Sequence, residues 1–317
     1  MKEIIINKND SNQRIDKFLS KRFKTMPTSL IYKYLRTKRI KVNGKKVKEN
    51  TILNEGDILT LFISDEFFEE TTDKGFMSLN HNLKIAYEDE NLIIVEKPSG
   101  IIVHSDDKED INTLINHIKS YLYDKSEYDP DKENAFAPSL CNRIDRNTEG
   151  LVIAAKNAAS LKEMNDIIKD REVEKLYLAA VHGFFDKDSG QMTSYLEKNE
   201  KENKVYSKKR PDKNTKTAVL EYKVLSKNRD LKLSLVEIKL QTGRTHQIRV
   251  QMADSGHPLL GDGKYSINKK DRALGYRSQA LCAYSLKFKL KSERKHLGYI
   301  NGLSIKIDKP EFVKLFY

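Results

Sequence analysis

The apolar residues of this chain fall into short stripes and runs whose period changes along its length. Near the start, Ile15, Phe18, Leu19 and Phe23 recur at helical spacing, and Leu30, Ile31, Tyr34 and Leu35 do so again behind Pro27-Thr28-Ser29, a helix start. Ile40-Lys41-Val42 then meets Asn43-Gly44, a two-residue hairpin signal, and Lys45-Lys46-Val47-Lys48 leads away. Ile52 to Ile63, interrupted by Asn54-Glu55-Gly56-Asp57, predicts a turn and a closing strand. Residues 1–63 thus read as a small α/β module of two helices and a sheet. From Ser64 to Asn82 the rhythm is lost in acidic and then polar residues, which predicts an interdomain linker over 64–82.

A second domain, 83–317, opens with two expected strands, Leu92–Val95 and Ile101–His104, joined by a turn through Pro98. Leu151–Ala155 is an apolar run bounded by polar residues, the mark of a short buried strand. Asn157–Asp170 reads as a helix with Leu161, Met164, Ile167 and Ile168 on its apolar stripe. Strands are expected at Lys175–Val181, with Leu and Tyr on alternate faces, at Lys232–Leu240 and at Leu281–Leu290. Asp186–Lys216 is polar and reads as a hairpin excursion with several basic residues. The latter half of Gln241–Met252 reads as a helix that ends near Gly256, with Pro258 just beyond, and Glu311–Tyr317 as a short tail.

At 317 residues the chain is long enough for about two domains, and 38% hydrophobic against 33% charged residues suits a soluble protein. No apolar stretch reaches the eighteen or so residues of a membrane span, and Met1–Asn7 lacks the pattern of a signal peptide. Two cysteines, Cys141 and Cys282, offer neither a disulfide framework nor a thiolate zinc site, so a reducing cytoplasm is expected. The net charge of +12 is concentrated: thirteen Lys or Arg lie between Gln13 and Asn50 against only Asp16 and Glu49. A compact basic face of this kind is the footprint of a nucleic-acid binder. A basic helical pair that docks on an acidic protein is the competing reading.

Candidate chemistry centres on Asn142-Arg143-Ile144-Asp145-Arg146-Asn147-Thr148-Glu149-Gly150, a polar loop at the mouth of the Leu151 strand. The flanking Arg143 and Arg146 would hold Asp145 ionised or grip phosphate. Gly256 and Gly261 have phosphate-loop spacing, but Asp262 and Gly263 stand where Lys and Ser or Thr should follow. No dinucleotide fingerprint follows a strand, and the seven histidines show no pair at metal-ligand spacing. The residues alone lead to an RNA-associated enzyme that uses a carboxylate and neither cofactor nor metal.

The N-terminal module resembles the alpha-L RNA-binding module through Gln13–Leu19, Ile40–Lys45 and Glu55-Gly56-Asp57. The segment Asn142–Leu151 resembles the catalytic motif of the RluA/RluC/RluD-type pseudouridine synthases, with Lys175–Gly183 and Thr242–Tyr265 similar to that family's second and third motifs. Glu96–Gly100 with Val103-His104, and Leu281-Cys282-Ala283, are further similarities, and the N-terminal run resembles the RluC branch. Asn142, Glu149 and Cys282 depart from the family's usual His, Ser and His.

The resemblance implies isomerisation of uridine to pseudouridine in large-subunit (23S) ribosomal RNA or its assembly intermediates, by a monomer without a cofactor. It implies an α+β fold: a mixed, largely antiparallel sheet with flanking helices, plus the small N-terminal module. Asp145 would be nucleophile or base, Arg249 its ion-pair partner, and Tyr177 the ring against the target uracil. Arg143 would fill the space left by an extruded nucleotide. Arg146, Arg244, His246 and Gln247 would contact RNA near the site, and Arg14, Lys17, Lys33, Arg36, Lys38, Arg39, Lys41 and Lys45 would do so on the module. A tRNA target and a non-catalytic RNA-binding factor remain alternatives. An RNA methyltransferase would need a glycine-rich adenosylmethionine loop after a strand, which is missing.

Overall fold

In the computed structural model, which describes residues 1–68, 75–105 and 111–317, two sheets organise the chain. The smaller has the spatial order Lys2–Ile5, Ile58–Leu61, Ile40–Val42, Lys45–Lys46, all antiparallel. Helices Ile15–Arg22 and Thr28–Arg36 bury Ile15, Phe18, Leu19, Ile31 and Leu35 in one core with Ile40, Leu59 and Leu61. Asn43 and Gly44 both take positive φ, as the predicted hairpin turn requires. The edge strand Lys2–Ile5 was not anticipated; its register comes from pairing with Ile58–Leu61.

The module is seated on the rest of the chain. Asn7 and Asn9 donate to the Glu133 carboxylate (3.2 and 2.8 Å), and Asn134 Nδ2 donates to the Ile5 carbonyl and to Asp10. Ala158 N, at the start of a helix, donates to Asn9 Oδ1. The middle of the expected linker, residues 69–74, lies outside the described residues. Its flanks form 3₁₀ turns at Asp65–Phe68 and Gly75–Ser78, where Phe68 meets Phe23 edge-on and Phe76 is buried.

The larger sheet runs in the order Lys204–Lys208, Ser189–Asn199, Lys216–Asn228, Leu233–Leu240, Val173–His182, Leu281–Phe288, Glu149–Ala155, Leu92–Lys97, Lys84–Glu88. Ser304–Lys306 and Ser139–Leu140 add to it at the side of Leu281–Phe288 and Glu149–Ala155. Every pairing is antiparallel except that of Leu281–Phe288 with Glu149–Ala155. The central strands are apolar on both sides because both sides are covered. Ile93, Val95, Val152 and Ala179 share a core with helix Leu114–Asp124 and with Ile248 and Met252. Ile94, Leu151 and Ile153 share another with Met164 and Ile167 of helix Ala158–Lys169. That helix is capped by Asn157, whose Oδ1 accepts from Ser160 N.

One expected strand is absent: Ile101–His104 forms only a bridge from Ile102 to Thr113. The chain there wraps the ammonium of Lys97 instead. Fully buried, the ammonium donates to the carbonyls of Pro98, Ile101 and Arg146, each at 2.8 Å. Leu92–Lys97 pairs instead with Lys84–Glu88 and Glu149–Ala155. The polar excursion is a hairpin, followed by the unanticipated strand Lys216–Asn228. Among the described residues no helix is long and apolar enough to cross a membrane.

Candidate active site

Asp145 stands in the loop between Ser139–Leu140 and Glu149–Ala155. The loop closes on itself through Thr148 N, which donates to the Asp145 carbonyl (3.0 Å), and through buried Ile144. Asn142 ties its entrance, with Oδ1 accepting from Ile153 N at 2.7 Å. Its exit is Gly150 (φ +117), which pairs with Ala283 in the parallel pairing to Leu281–Phe288 and with Lys97 on the other side. A Cβ there would lie 2.3 Å from the Ala283 carbonyl oxygen, so the approach of the strands demands glycine.

Arg249 comes from helix Gln247–Asp254, over a hundred residues later, and its Nη1 donates to Asp145 Oδ2 at 3.0 Å. Its Nε and Nη2 donate to the two oxygens of Asp262, both at 2.8 Å. Asp262 is almost fully buried, and Oδ1 also accepts from Lys264 N. Burial works against charge on Arg249, but the hydrogen bonds and charges of Asp262 and Asp145 outweigh it and hold its pKa above the ordinary value. For Asp262 burial is likewise overcome by Arg249, and its carboxyl sits below its usual range. The remaining, half-exposed face of Asp145 is turned to a cavity of about 580 Å³, within the common size range of ligand sites.

Tyr177, on Val173–His182 between Ile238 and Ala283, lines the same cavity. Burial, then the charge of Asp145, pushes its hydroxyl pKa up, so the phenol stays protonated. Ile248 and Leu281 supply apolar wall, and Arg143 and Arg244 stand on the exposed rim. The partner that reaches Asp145 is therefore Arg249; Arg143 and Arg146 beside it in sequence are both exposed.

The expected RNA contacts divide. Lys17, Lys33, Arg36, Lys38, Arg39 and Lys45 are exposed on the module, and Lys41 is half-buried near the Phe62 ring. Arg14 is paired with buried Asp16 through two hydrogen bonds. Arg244 donates Nε to the Thr217 carbonyl. Gln247 requires correction: it is buried, its Oε1 accepts from Thr242 Oγ1 and Arg244 N, and its Nε2 donates to the Val219 carbonyl. That amide braces the turn from the cavity wall, so its polar atoms are engaged within the chain. His246 is mostly covered, with Nε2 3.9 Å from Asp145 Oδ2 and Nδ1 2.7 Å from the Tyr265 hydroxyl.

Three residues of the site were not singled out from the sequence: Asp262, Tyr265 and Lys97. A carboxylate between Gly261 and Gly263 hints at a special turn, yet its partner, thirteen residues earlier, is set by the fold.

A family model described as RNA pseudouridylate synthase matches residues 91–254, and an S4 domain model matches 13–59. An "Uncharacterized RNA pseudouridine synthase" of Mycoplasma capricolum is 36% identical over 317 residues, covering 99% of each chain. A "Ribosomal large subunit pseudouridine synthase C" of Buchnera aphidicola subsp. Schizaphis graminum is 34% identical, covering 84% of this chain and 82% of that one. Among solved structures, "Human RNA Pseudouridylate Synthase Domain Containing 4" has a TM-score of 0.56 at 24% identity, covering 73% of this chain and 90% of its own, a likeness of fold.

Proposed function

The chain belongs to the RNA pseudouridine synthase family, and on that premise we propose that it converts uridines of large-subunit (23S) ribosomal RNA to pseudouridine, with Asp145 as the reacting carboxylate. The observation that carries the role of Asp145 is its geometry. One oxygen is held by Arg249, itself clamped by Asp262, while the side chain faces a cavity with a protonated tyrosine on its wall. Relatives named as large-subunit enzymes support the ribosomal target.

In the reaction the C1′–N1 bond of the target breaks and a C1′–C5 bond forms; C5 gives up its proton and N1 gains one. The atoms balance without an oxidant or an energy donor. Asp145 attacks the sugar or base, or removes a ribose proton, each open to a charged carboxylate in a sheltered site. Tyr177 lies against the uracil, its protonated phenol a hydrogen-bond donor beside the ring. The target nucleotide must first be extruded, at a cost of a few kcal/mol, and Arg143 on the rim fills the gap. The basic residues of the module supply affinity through phosphates. The protein acts as a cytoplasmic monomer.

The test is pseudouridine mapping of total RNA from cells lacking the gene, complemented with the wild type or with Asp145→Ala. Sites in 23S rRNA should vanish with the gene and return only with the wild type. Loss confined to tRNA would overturn the ribosomal target, and restoration by Asp145→Ala would overturn the role of Asp145.

A further inference from the structure

Tyr265 touches three parts of the site. Its hydroxyl accepts a hydrogen bond from Val205 N (3.0 Å), on the Lys204–Lys208 strand of the basic hairpin. The same oxygen lies 2.7 Å from His246 Nδ1, and the ring stands 5.2 Å from the Arg249 guanidinium carbon. Val205 and Leu196 of the hairpin pack with Val250 of the Arg249 helix, and Ser207 Oγ donates to Asp254 at its end, so the anchoring amide is itself fixed.

This arrangement favours one tautomer of His246. With one lone pair of the phenol oxygen taken by Val205 N–H, the phenol proton is best used on Nδ1, and the imidazole proton then sits on Nε2. Nε2 is the atom 3.9 Å from Asp145 Oδ2. Resting on the reading of Asp145 given above, we infer that Tyr265 is a positioning residue of the reaction: it orients His246 with Nε2–H turned to the Asp145 carboxylate and the nucleotide that carboxylate engages.

The surroundings agree. Burial lowers the His246 pKa to about 4, with Arg249 and Lys264 acting in the same sense and Asp145 and Asp262 against it. Between pH 5 and 8 the group is thus an uncharged donor. As Asp145 takes up the nucleotide, Nε2–H is placed to bond a uracil or ribose oxygen that gains charge. The residue itself has φ +52, a left-handed conformation at the start of the Gln247–Asp254 helix.

The test uses the full-length protein. Nitrogen chemical shifts of labelled histidine should show His246 in the Nε2–H form with a pKa well below 5. In Tyr265→Phe its pKa should rise and the two tautomers should mix. On an RNA fragment carrying a mapped target uridine, Tyr265→Phe should bind within about twofold of the wild type. Its single-turnover rate should fall up to about tenfold, the upper size of one lost hydrogen bond between neutral groups, and an added inflection should enter the pH profile in the histidine range. In a His246→Gln background, where no imidazole is left to orient, the rate should lose its sensitivity to Tyr265→Phe. An Nδ1–H tautomer in the wild type, or additive effects of the two substitutions, would overturn the inference. Absence of conversion of 23S fragments by the wild type would count against the ribosomal target alone, because the nitrogen shifts are read without RNA.

Discussion

Arg249 gives two of its hydrogen bonds to Asp262 and one to Asp145. The buried Asp262 fixes the plane of the guanidinium, and the half-exposed Asp145 meets a donor already in place. Asp262→Asn should therefore lower the maximal rate about ten- to a hundredfold while RNA affinity changes little, as single-turnover kinetics would show. It should also destabilise the fold by roughly 3 kcal/mol or more, because it leaves a buried guanidinium short of its counter-charge.

The same pair sets an acid dependence. The folded pKa of Asp262 is depressed, so its contribution is fully present above the unfolded carboxylate value of about 4 and is lost as pH falls through the folded one. The difference in unfolding free energy between wild type and Asp262→Asn should shrink as pH is lowered from 6 toward 3, measured by denaturant titration. A constant difference over that range would contradict the assignment.

Lys97 joins the Pro98–Ile101 loop to the Asp145 loop through three carbonyls. Burial lowers its pKa to about 8, with the charges of Asp145 and Glu149 acting against that shift. Lys97→Met keeps the volume and removes all three donors. It should cost at least about 2 kcal/mol of stability, seen in urea unfolding, together with a fall in rate from the loosened loop.

Gly150→Ala should be among the most damaging single-methyl changes in this chain. The added carbon would meet the Ala283 backbone, and the positive φ is strained for any L side chain. A loss of roughly 3 kcal/mol or more is expected in thermal unfolding.

The exposed module residues should act through charge. Replacing Lys33, Arg36, Lys38 and Lys45 together by Ala should weaken RNA binding and lower the slope of log affinity against log salt by roughly 3 units. The rate at saturating RNA should change far less. Filter binding across a salt series measures both.

The legible parts of the molecule were those written locally. The stripe Ile15–Phe23, the Asn43-Gly44 hairpin, the Leu151 run and the Leu233–Leu240 strand each carry their own period, and structure and pattern agree there. Helix Leu114–Asp124 has Leu114, Ile118 and Leu122 at helical spacing, a stripe too short to stand out beside the polar residues around it. Lys84–Glu88 and Lys216–Asn228 are half-polar strands whose identity comes from their neighbours. Ile101–His104 looked like a strand because its apolar residues do enter a core, yet the backbone there wraps a buried ammonium. At the site, Asp145 was visible from its loop, whereas Tyr177 and Arg249 entered through resemblance. The inward turn of Gln247 and the links of Asp262 and Tyr265 depend on contacts that no local pattern encodes.

The most direct test of the central claim is conversion of a 23S rRNA transcript by purified protein, wild type against Asp145→Asn, with RNA binding measured in parallel. The account predicts pseudouridine at discrete sites with the wild type and none with Asp145→Asn, at RNA affinities within a few-fold of each other. Equal conversion by the two proteins would contradict it.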